Sequence, residues 1–166
     1  NRFLRHRFLE KKVYKPGLVT FFVRDFGDGR NTISAIRDYL CEVFEIIAEG
    51  PLTSEIETAV RKNVRGGNWS DALAPHGQAF PVYWFVCFDR NPIQPRSQLS
   101  QKRPRLDNEN ILIKSKIRKI VGAGKYKEQR IIHASDNTAE ALEHIGLLGD
   151  DVQKKLIPYL DRLKCE

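Results

Sequence analysis

With 166 residues, of which 41% are hydrophobic and 30% charged, the chain is long enough to bury one proper core, and we expect one domain. Its three cysteines lie far apart and lack histidines at ligand spacing, which argues against a disulfide framework and a zinc site and favours a reducing, intracellular compartment, cytoplasmic or nuclear. The formal charge of +7 suits phosphate-bearing partners, and the polar first dozen residues predict neither a signal peptide nor a membrane span.

Residues 1–17 are predicted to be a leader or linker. They mix basic and apolar residues and end in the turn signal Lys15-Pro16-Gly17, and the domain is expected over residues 18–166. Because the chain begins at Asn1 and not at methionine, we expect this domain to be the terminal part of a larger intracellular protein with other domains.

The domain is predicted to open with a strand, a helix and a second strand. Leu18 to Arg24 is rich in β-branched and aromatic residues and predicts a buried strand. A helix follows from Asn31 or Thr32, either of which can act as its cap. Residues 45–49 then predict a short strand that stops at a Gly-Pro pair.

The middle of the chain predicts a second helix and a central strand. Ser54 and Glu57 form a capping box, and apolar residues then recur at helical spacing up to Gly66-Gly67. The most apolar run of the chain, residues 79–88, predicts a central strand after Pro81.

A long basic loop is predicted over residues 89–110, where three prolines interrupt a stretch without periodicity. Residues 111–121, which follow it, alternate apolar and basic side chains. Segment 90–119 carries nine basic residues against two acids, so its net charge equals that of the whole chain. It can meet the phosphates of a nucleotide, of nucleic acid or of a membrane surface, and charge alone does not choose among them. A solvated loop that becomes ordered only on binding a partner is the other interpretation.

The last part of the chain predicts a fourth strand over residues 129–134, followed by helices. Asn137 and Glu140 form another capping box. An apolar stripe continues between residues 151 and 164, where Pro158 must kink or divide the helix. The order of elements predicts an α+β domain in which four strands carry helices on one face.

His133 stands near the end of the fourth predicted strand, just before the cap of the next helix. That position puts the ring beside backbone donors and the positive end of a helix dipole, where phosphate binds readily. A nucleophilic histidine needs a neutral nitrogen, a partner that fixes its tautomer, and cations that neutralise the transferred group. A packed or solvated histidine is the plainer interpretation of the same position.

The segment around this histidine is Arg130-Ile131-Ile132-His133-Ala134-Ser135-Asp136, followed by Ala141 and Ile145 on the next predicted helix. It resembles the phosphorylated-histidine segment of nucleoside diphosphate kinases, which has Arg-Asn, two hydrophobic residues and His-Gly-Ser-Asp. Upstream, Ile117-Arg118-Lys119-Ile120 is similar to an Ile-Arg segment of that family. The order of the strands is similar too, so the resemblance spans roughly residues 18–148.

The resemblance implies a ferredoxin-like βαββαβ core, with a four-stranded antiparallel sheet and helices on one face. It implies nucleotides as partners, Mg²⁺ with ATP or another nucleoside triphosphate, ping-pong transfer of the γ-phosphoryl group, and a homo-oligomer. His133 would be the phosphoryl acceptor, Arg118 would contact the phosphates, and Ser135 would hydrogen-bond near the histidine. The residues implied in nucleotide binding are Arg24, Arg103, Arg105, Arg118 and Arg130. No metal site built from protein side chains is predicted.

Three residues depart from the family pattern. Arg24 stands where the family has a lysine on the first strand, and Arg130 replaces its asparagine before the two apolar residues. His144 aligns with the glutamate that orients the family's histidine. The family's nucleotide-binding insertion is replaced by the basic loop, residues 89–110.

These departures keep other functions open. One is a kinase-like module that has lost catalysis and serves as a nucleotide sensor or protein-interaction domain. Another is a basic nucleic-acid-binding domain, because a ferredoxin-like sheet with aromatic residues can stack bases. The aromatic-glycine signatures expected for that function are missing from the sequence, so nucleic acid is not favoured. Neither a Walker A sequence nor a Gly-x-Gly-x-x-Gly motif occurs in the chain.

Overall fold

The computed structural model describes residues 14–24, 29–66, 80–123 and 131–165 of the chain. Its strands are β1 (Leu18–Arg24), β2 (Glu45–Pro51), β3 (Pro81–Phe88) and β4 (Ile132–Ala134). Its helices are α1 (Gly29–Cys41), α2 (Ser54–Asn63), α3 (Ser97–Lys102), α4 (Ile113–Ile120), α5 (Thr138–Gly146), α6 (Asp150–Lys155) and α7 (Leu160–Leu163). Short 3₁₀ turns occupy Glu109–Leu112 and Ile157–Tyr159.

The four strands form one antiparallel sheet in the order β2-β3-β1-β4. The chain passes through α1 between β1 and β2, and through α4 between β3 and β4. Each of these connections joins two strands that are separated by one antiparallel strand, which is the arrangement of a ferredoxin-like βαββαβ core. The α+β class and the four-stranded antiparallel sheet predicted from the sequence are confirmed.

Alternate residues of β1 point to opposite faces of the sheet and build two apolar layers. Val19, Phe21 and Val23 pack with α1 and α4 on one face. Leu18 and Phe22 pack with α2, α5 and α6 on the other face. Each fully buried phenylalanine of this strand contributes about 1.5–3 kcal/mol. The two crossover helices lie on one face, as predicted, and additional helices cover the other, which the sequence did not reveal.

The starts of α1 and α2 differ from the predicted caps. α1 begins before the caps predicted at Asn31 and Thr32, and Thr32 lies buried within the helix. α2 is capped by Thr53, whose Oγ1 accepts a hydrogen bond from the amide of Ile56 at 3.4 Å. The capping box predicted at Ser54 is therefore wrong by one residue, because Thr53 keeps the extended backbone that a cap requires and Ser54 is already helical.

α4 and the end of β2 also differ from the predicted elements. The alternation in residues 111–121 conceals a helical period, because Ile113, Ile117 and Val121 pack at four-residue spacing against the same apolar layer. β2 continues through the predicted stop at Gly50-Pro51, since both residues remain paired with β3. Pairing to a central strand thus outweighs the local stop signal.

The basic loop is ordered by a polar network around buried Asp89. One carboxylate oxygen of Asp89 accepts hydrogen bonds from the side-chain amides of Asn108 and Asn110, each at 2.8 Å. The other accepts a hydrogen bond from the amide of Asn91 at 2.9 Å. These bonds satisfy the buried charge, and helix α3 also lies within the loop. The loop is therefore a built part of the domain, which corrects the interpretation of an irregular segment that orders only with a partner.

Residues 14–17 of the predicted leader contact the domain near its other end. The amide of Lys15 donates a hydrogen bond to the carbonyl of Leu163 at 2.8 Å. Pro158 lies in the 3₁₀ turn that divides α6 from α7, as predicted. Among the helices of the described ranges, none combines the length and the apolar character needed to cross a bilayer.

Candidate functional site

His133 lies on β4, at one edge of the sheet, opposite Phe22 of β1. Paired residues of neighbouring strands point to the same face, and Phe22 packs on the face covered by α2 and α5. The ring of His133 therefore points towards those two helices. Its Nε2 atom is shielded from solvent, although the residue as a whole keeps some exposure.

The imidazole of His133 is neutral at physiological pH. Burial lowers its pKa well below the ordinary value of 6.5, and His144, Lys114, Arg118 and Arg24 lower it further. Burial disfavours the charged ring, and the neighbouring positive charges repel an added proton. A neutral ring keeps the nitrogen lone pair that a nucleophile needs.

The chain just after α2 approaches the ring of His133. A Cβ added to Gly66 would lie 3.5 Å from Cε1 of His133, an ordinary van der Waals distance. Gly66 has a φ of +73°, in the left-handed region that favours glycine. The main chain at Gly66 therefore lies against one side of the His133 ring. A residue other than glycine would adopt this left-handed conformation only with strain.

A second buried imidazole, His144 of α5, lies beside His133, with the two ring centroids 6.5 Å apart. Nδ1 of His144 lies 2.6 Å from Oγ1 of Thr20, and its Nε2 lies 3.9 Å from Oε1 of Glu140. The ring also packs edge-on against Phe22, at a centroid distance of 5.5 Å. Groups from β1 and α5 thus fix the orientation of His144.

Glu140 places a carboxylate behind His144. Its Oε2 accepts a hydrogen bond from the amide of Asp136 at 2.7 Å, while its Oε1 faces the imidazole. The sequence indicated Glu140 only as part of a helix cap. Glu140 lies four residues before His144, which puts both side chains on one face of α5. This spacing is the sequence signal from which the role of Glu140 could have been predicted. His133, His144 and Glu140 follow one another in space, and carboxylates commonly orient imidazoles in this way.

Three cations stand near β4, the strand of His133, and two of them, Arg24 and Lys114, are buried. Arg24, at the end of β1, is 4% exposed. Arg118 of α4 donates hydrogen bonds from Nε and Nη2 to the carbonyl oxygen of Ile132, at 3.2 and 2.8 Å. Lys114 stands one turn earlier on α4 and is 5% exposed. These side chains hold positive charge at the edge of β4.

The basic loop is attached to the turn that follows β4. The carboxylate of Asp107 accepts a hydrogen bond from the first amide of α5 at 3.0 Å, and the side chain of Asn137 donates to the carbonyl of Arg105 at 3.1 Å. Exposed Arg103 lies in the same loop. Burial lowers the pKa of Arg118, and the charge of Arg103 lowers it further. The docked loop therefore adds a fourth cation to the site.

Three amides at the start of α5 donate hydrogen bonds to side chains of the protein itself. The amide of Asp136 donates to Glu140, and that of Thr138 donates to Asp107. The amide of Glu140 donates to Oδ1 of Asn137 at 2.9 Å, which confirms Asn137 as the predicted cap, while the carboxylate of Glu140 accepts from the amide of Asp136, one residue before that cap. The amides of Asp136, Thr138 and Glu140 are therefore not open to a phosphate, which corrects the expectation for these three donors.

Ser135 joins β4 to β1. It is fully buried, its Oγ accepts a hydrogen bond from the amide of Thr20 at 3.0 Å, and its own amide donates to the carbonyl of Thr20 at 3.0 Å. The resemblance implied that this hydroxyl would hydrogen-bond near the histidine. In the structure its oxygen accepts a hydrogen bond from the main chain of β1 and so supports the pairing of the two strands.

Among the residues implied in nucleotide binding, and beyond the effect of burial, Arg24 and Arg118 both lower the pKa of His133, and the charge of Arg103 lowers the pKa of Arg118. Arg105 contributes its backbone carbonyl to the docking of the loop, and its side chain is partly exposed. Arg130 lies outside the described residues. Sequence reasoning missed Lys114, although its position four residues before Arg118 puts both on one face of a helix.

A magnesium ion would depend on the nucleotide for most of its ligands. Within residues 14–24, 29–66, 80–123 and 131–165, no group of three or more His, Cys, Asp or Glu is placed to hold a metal. Mg²⁺ in phosphate sites uses one or two carboxylates together with substrate phosphates.

The site combines a neutral, shielded imidazole with cations from β1, α4 and the basic loop. Such a cluster favours a ligand with several negative charges, because charge-assisted hydrogen bonds to phosphate are strong. No protein-family model matches the chain, and no curated protein does.

Proposed function

We propose that the domain binds a nucleoside triphosphate and transfers its γ-phosphoryl group through a phosphohistidine at His133. The observation that carries this proposal is the shielded Nε2 of His133 on a strand bordered by cations, since Arg118 donates hydrogen bonds to the carbonyl of Ile132 and Lys114 stands one turn earlier on α4. Burial and their charges, with that of Arg24, lower the pKa of His133 and keep its ring neutral. The ring supplies a lone pair, and the cations neutralise charge on the group in transfer.

In the proposed reaction a ring nitrogen of His133 bonds to the γ-phosphorus. The bond from that phosphorus to the bridging oxygen of the β-phosphate breaks, and the nucleoside diphosphate leaves with the electron pair. Attack by a second nucleoside diphosphate returns the neutral ring, so the kinetics are ping-pong. Mg²⁺ bound with the nucleotide supplies further charge neutralisation. His144 would hold the ring of His133 in place by packing beside it, at a centroid distance of 6.5 Å.

Incubation of the purified chain with γ-labelled ATP and Mg²⁺ tests the proposal. The wild type should acquire an acid-labile, base-stable label, and His133→Ala should acquire none. Lys154→Ala, which removes an exposed lysine of α6, should be labelled like the wild type. Wild-type protein that binds nucleotide and remains unlabelled would reject phosphoryl transfer.

A nucleotide sensor or protein-interaction module is the second candidate. The observation that favours it is that an imidazole, His144, stands beside His133 where the kinase pattern has a carboxylate. An imidazole stabilises a positive ring less well than a carboxylate does. Nucleotide that raises the thermal midpoint of unfolding without labelling the protein would support this candidate.

Nucleic-acid binding is less favoured. Segment 90–119 carries the charge that such binding requires, and salt-dependent binding of RNA or DNA would support it. However, both faces of the sheet are covered by packed helices, so the aromatic residues of β1 and β3 are not available for base stacking.

A further inference from the structure

Lys114 is a buried lysine whose ammonium group lies beside the carboxylate of Asp136. It is 5% exposed, and its Nζ lies 3.6 Å from Oδ1 of Asp136. Burial lowers the pKa of Lys114, whereas the charge of Asp136 raises it. Burying an ammonium group costs free energy unless the group is paired, so we expect a lysine buried at this position to serve a function.

The surroundings of Lys114 are those of the His133 site. Lys114 and Arg118 are one turn apart on α4, and Arg118 binds the carbonyl of the residue just before His133. Asp136 follows His133 by three residues. In keeping with this placement, burial lowers the pKa of His133 and the charge of Lys114 lowers it further.

We propose that Lys114 is a phosphate-binding residue of the His133 site and that Asp136 is its internal counter-ion, displaced when a phosphoryl group enters. This inference rests on the proposed function and adds to it a specific residue and a mechanism of exchange. Asp136 competes with the incoming ligand for one ammonium group. The carboxylate therefore limits the affinity of the empty site for anions.

The exchange requires only the side chain of Asp136 to move. Its backbone is held, because its amide donates to Glu140 at 2.7 Å and its carbonyl accepts a hydrogen bond from Asp107 at 3.2 Å. Its carboxylate is 36% exposed and can turn towards water. A phosphoryl group has more acceptor oxygens and more negative charge than a carboxylate, so it is the better partner for a cluster of cations.

Isothermal titration with inorganic pyrophosphate tests the inference on four proteins: wild type, Lys114→Met, Asp136→Asn and Lys116→Met. Lys116 is the matched control, since it lies on the same helix but is exposed and pairs with Glu42 at 3.3 Å. Lys114→Met should bind about tenfold more weakly or worse, which corresponds to about 1.4 kcal/mol. Asp136→Asn should bind pyrophosphate more tightly than the wild type, and Lys116→Met should bind it with wild-type affinity.

The inference is overturned if the wild type does not bind pyrophosphate, if the two methionine variants bind equally, or if Asp136→Asn binds more weakly. Should Lys114→Met fail to fold, the direction of the change in affinity of Asp136→Asn decides alone, because that variant keeps the shape of the side chain.

Labelling by γ-labelled ATP separates this inference from the proposed phosphoryl transfer. Weaker pyrophosphate binding by Lys114→Met in a chain that is never labelled keeps this inference and rejects phosphoryl transfer. If the wild type is labelled and Lys114→Met binds pyrophosphate as tightly as the wild type, phosphoryl transfer is kept and this inference is rejected.

Discussion

Nδ1 of His144 and Oγ1 of Thr20 lie 2.6 Å apart, between α5 and β1. Because β1 is an inner strand of the sheet, this contact ties the helix that follows His133 to the centre of the fold. The orientation of His144 is thereby fixed relative to His133, whose ring centroid lies 6.5 Å from its own. A threonine at the centre of the sheet thus sets the surroundings of a histidine at its edge.

Replacing Thr20 by valine, which has nearly the same shape, should lower the free energy of unfolding by about 1–3 kcal/mol, because a buried imidazole nitrogen loses its partner. The same change should slow phosphoryl labelling, since His144 becomes free to turn. Urea unfolding and the rate of labelling measure the two effects. Thr58→Val is the control, because Thr58 is exposed and its hydroxyl bonds only its own helix, at the carbonyl of Ser54. Equal stability of the two variants would contradict the role given to Thr20.

The free energy of unfolding should fall as the pH drops below about 6.5. The fold lowers the pKa of His133, whereas the unfolded chain keeps the ordinary value of 6.5. Between those two pKa values the unfolded state binds more protons, so acid favours unfolding. The contribution of His133 is fully present above the unfolded pKa and is lost as the pH falls towards the folded one.

Urea unfolding of the wild type and of His133→Gln, at about pH 7.5 and about pH 5.5, measures this effect. The wild type should lose more stability than the variant between the two conditions. Equal losses would show that His133 is not held neutral by the fold.

Arg118 should contribute to phosphate binding through both its charge and its planar geometry. Arg118→Gln is expected to weaken pyrophosphate binding about tenfold or more, because a charge-assisted hydrogen bond is lost. Arg118→Lys should recover only part of the affinity, since an ammonium group cannot reproduce the guanidinium fork. Lys119→Gln removes an exposed neighbouring charge and serves as the control in the same titration. An affinity in Arg118→Gln no lower than in Lys119→Gln would argue against this contact.

Asp89 should stabilise the whole basic loop. Asp89→Ala leaves the side chains of Asn108 and Asn110 and the amide of Asn91 without their acceptor, and should cost about 2–4 kcal/mol. The rate of amide hydrogen exchange should rise across residues 91–110 of Asp89→Ala. Urea unfolding of this variant and of the wild type measures the loss in free energy of unfolding. Asp161→Ala, which removes a carboxylate that is 92% exposed, should leave stability nearly unchanged. Unchanged exchange in the loop of Asp89→Ala would show that the network does not order it.

The strands of this fold could be predicted because their signals are local. β1 and β3 are apolar runs buried on both faces, and their composition alone identifies them. α4 could not be assigned, because alternation of apolar and basic residues in 111–121 suits a strand as well as a helix. The packing of Ile117 against the sheet decides between them, and packing is a tertiary property.

The candidate site was predictable only in part for the same reason. The pattern around His133 and the cap formed by Asn137 and Glu140 are local, and the sequence revealed both. Lys114 was missed because a lysine on an amphipathic helix is usually solvated. Its burial depends on contacts with residues distant in the sequence, such as Asp136.

The return of phosphate from the protein to a nucleoside diphosphate tests phosphoryl transfer through His133 most directly. Protein labelled with γ-labelled ATP is freed of nucleotide and then mixed with an unlabelled nucleoside diphosphate and Mg²⁺. The label should map to His133 by peptide mass spectrometry before the addition, and should appear in nucleoside triphosphate afterwards. Label on another residue, or label on His133 that passes only to water, would contradict transfer through a phosphohistidine.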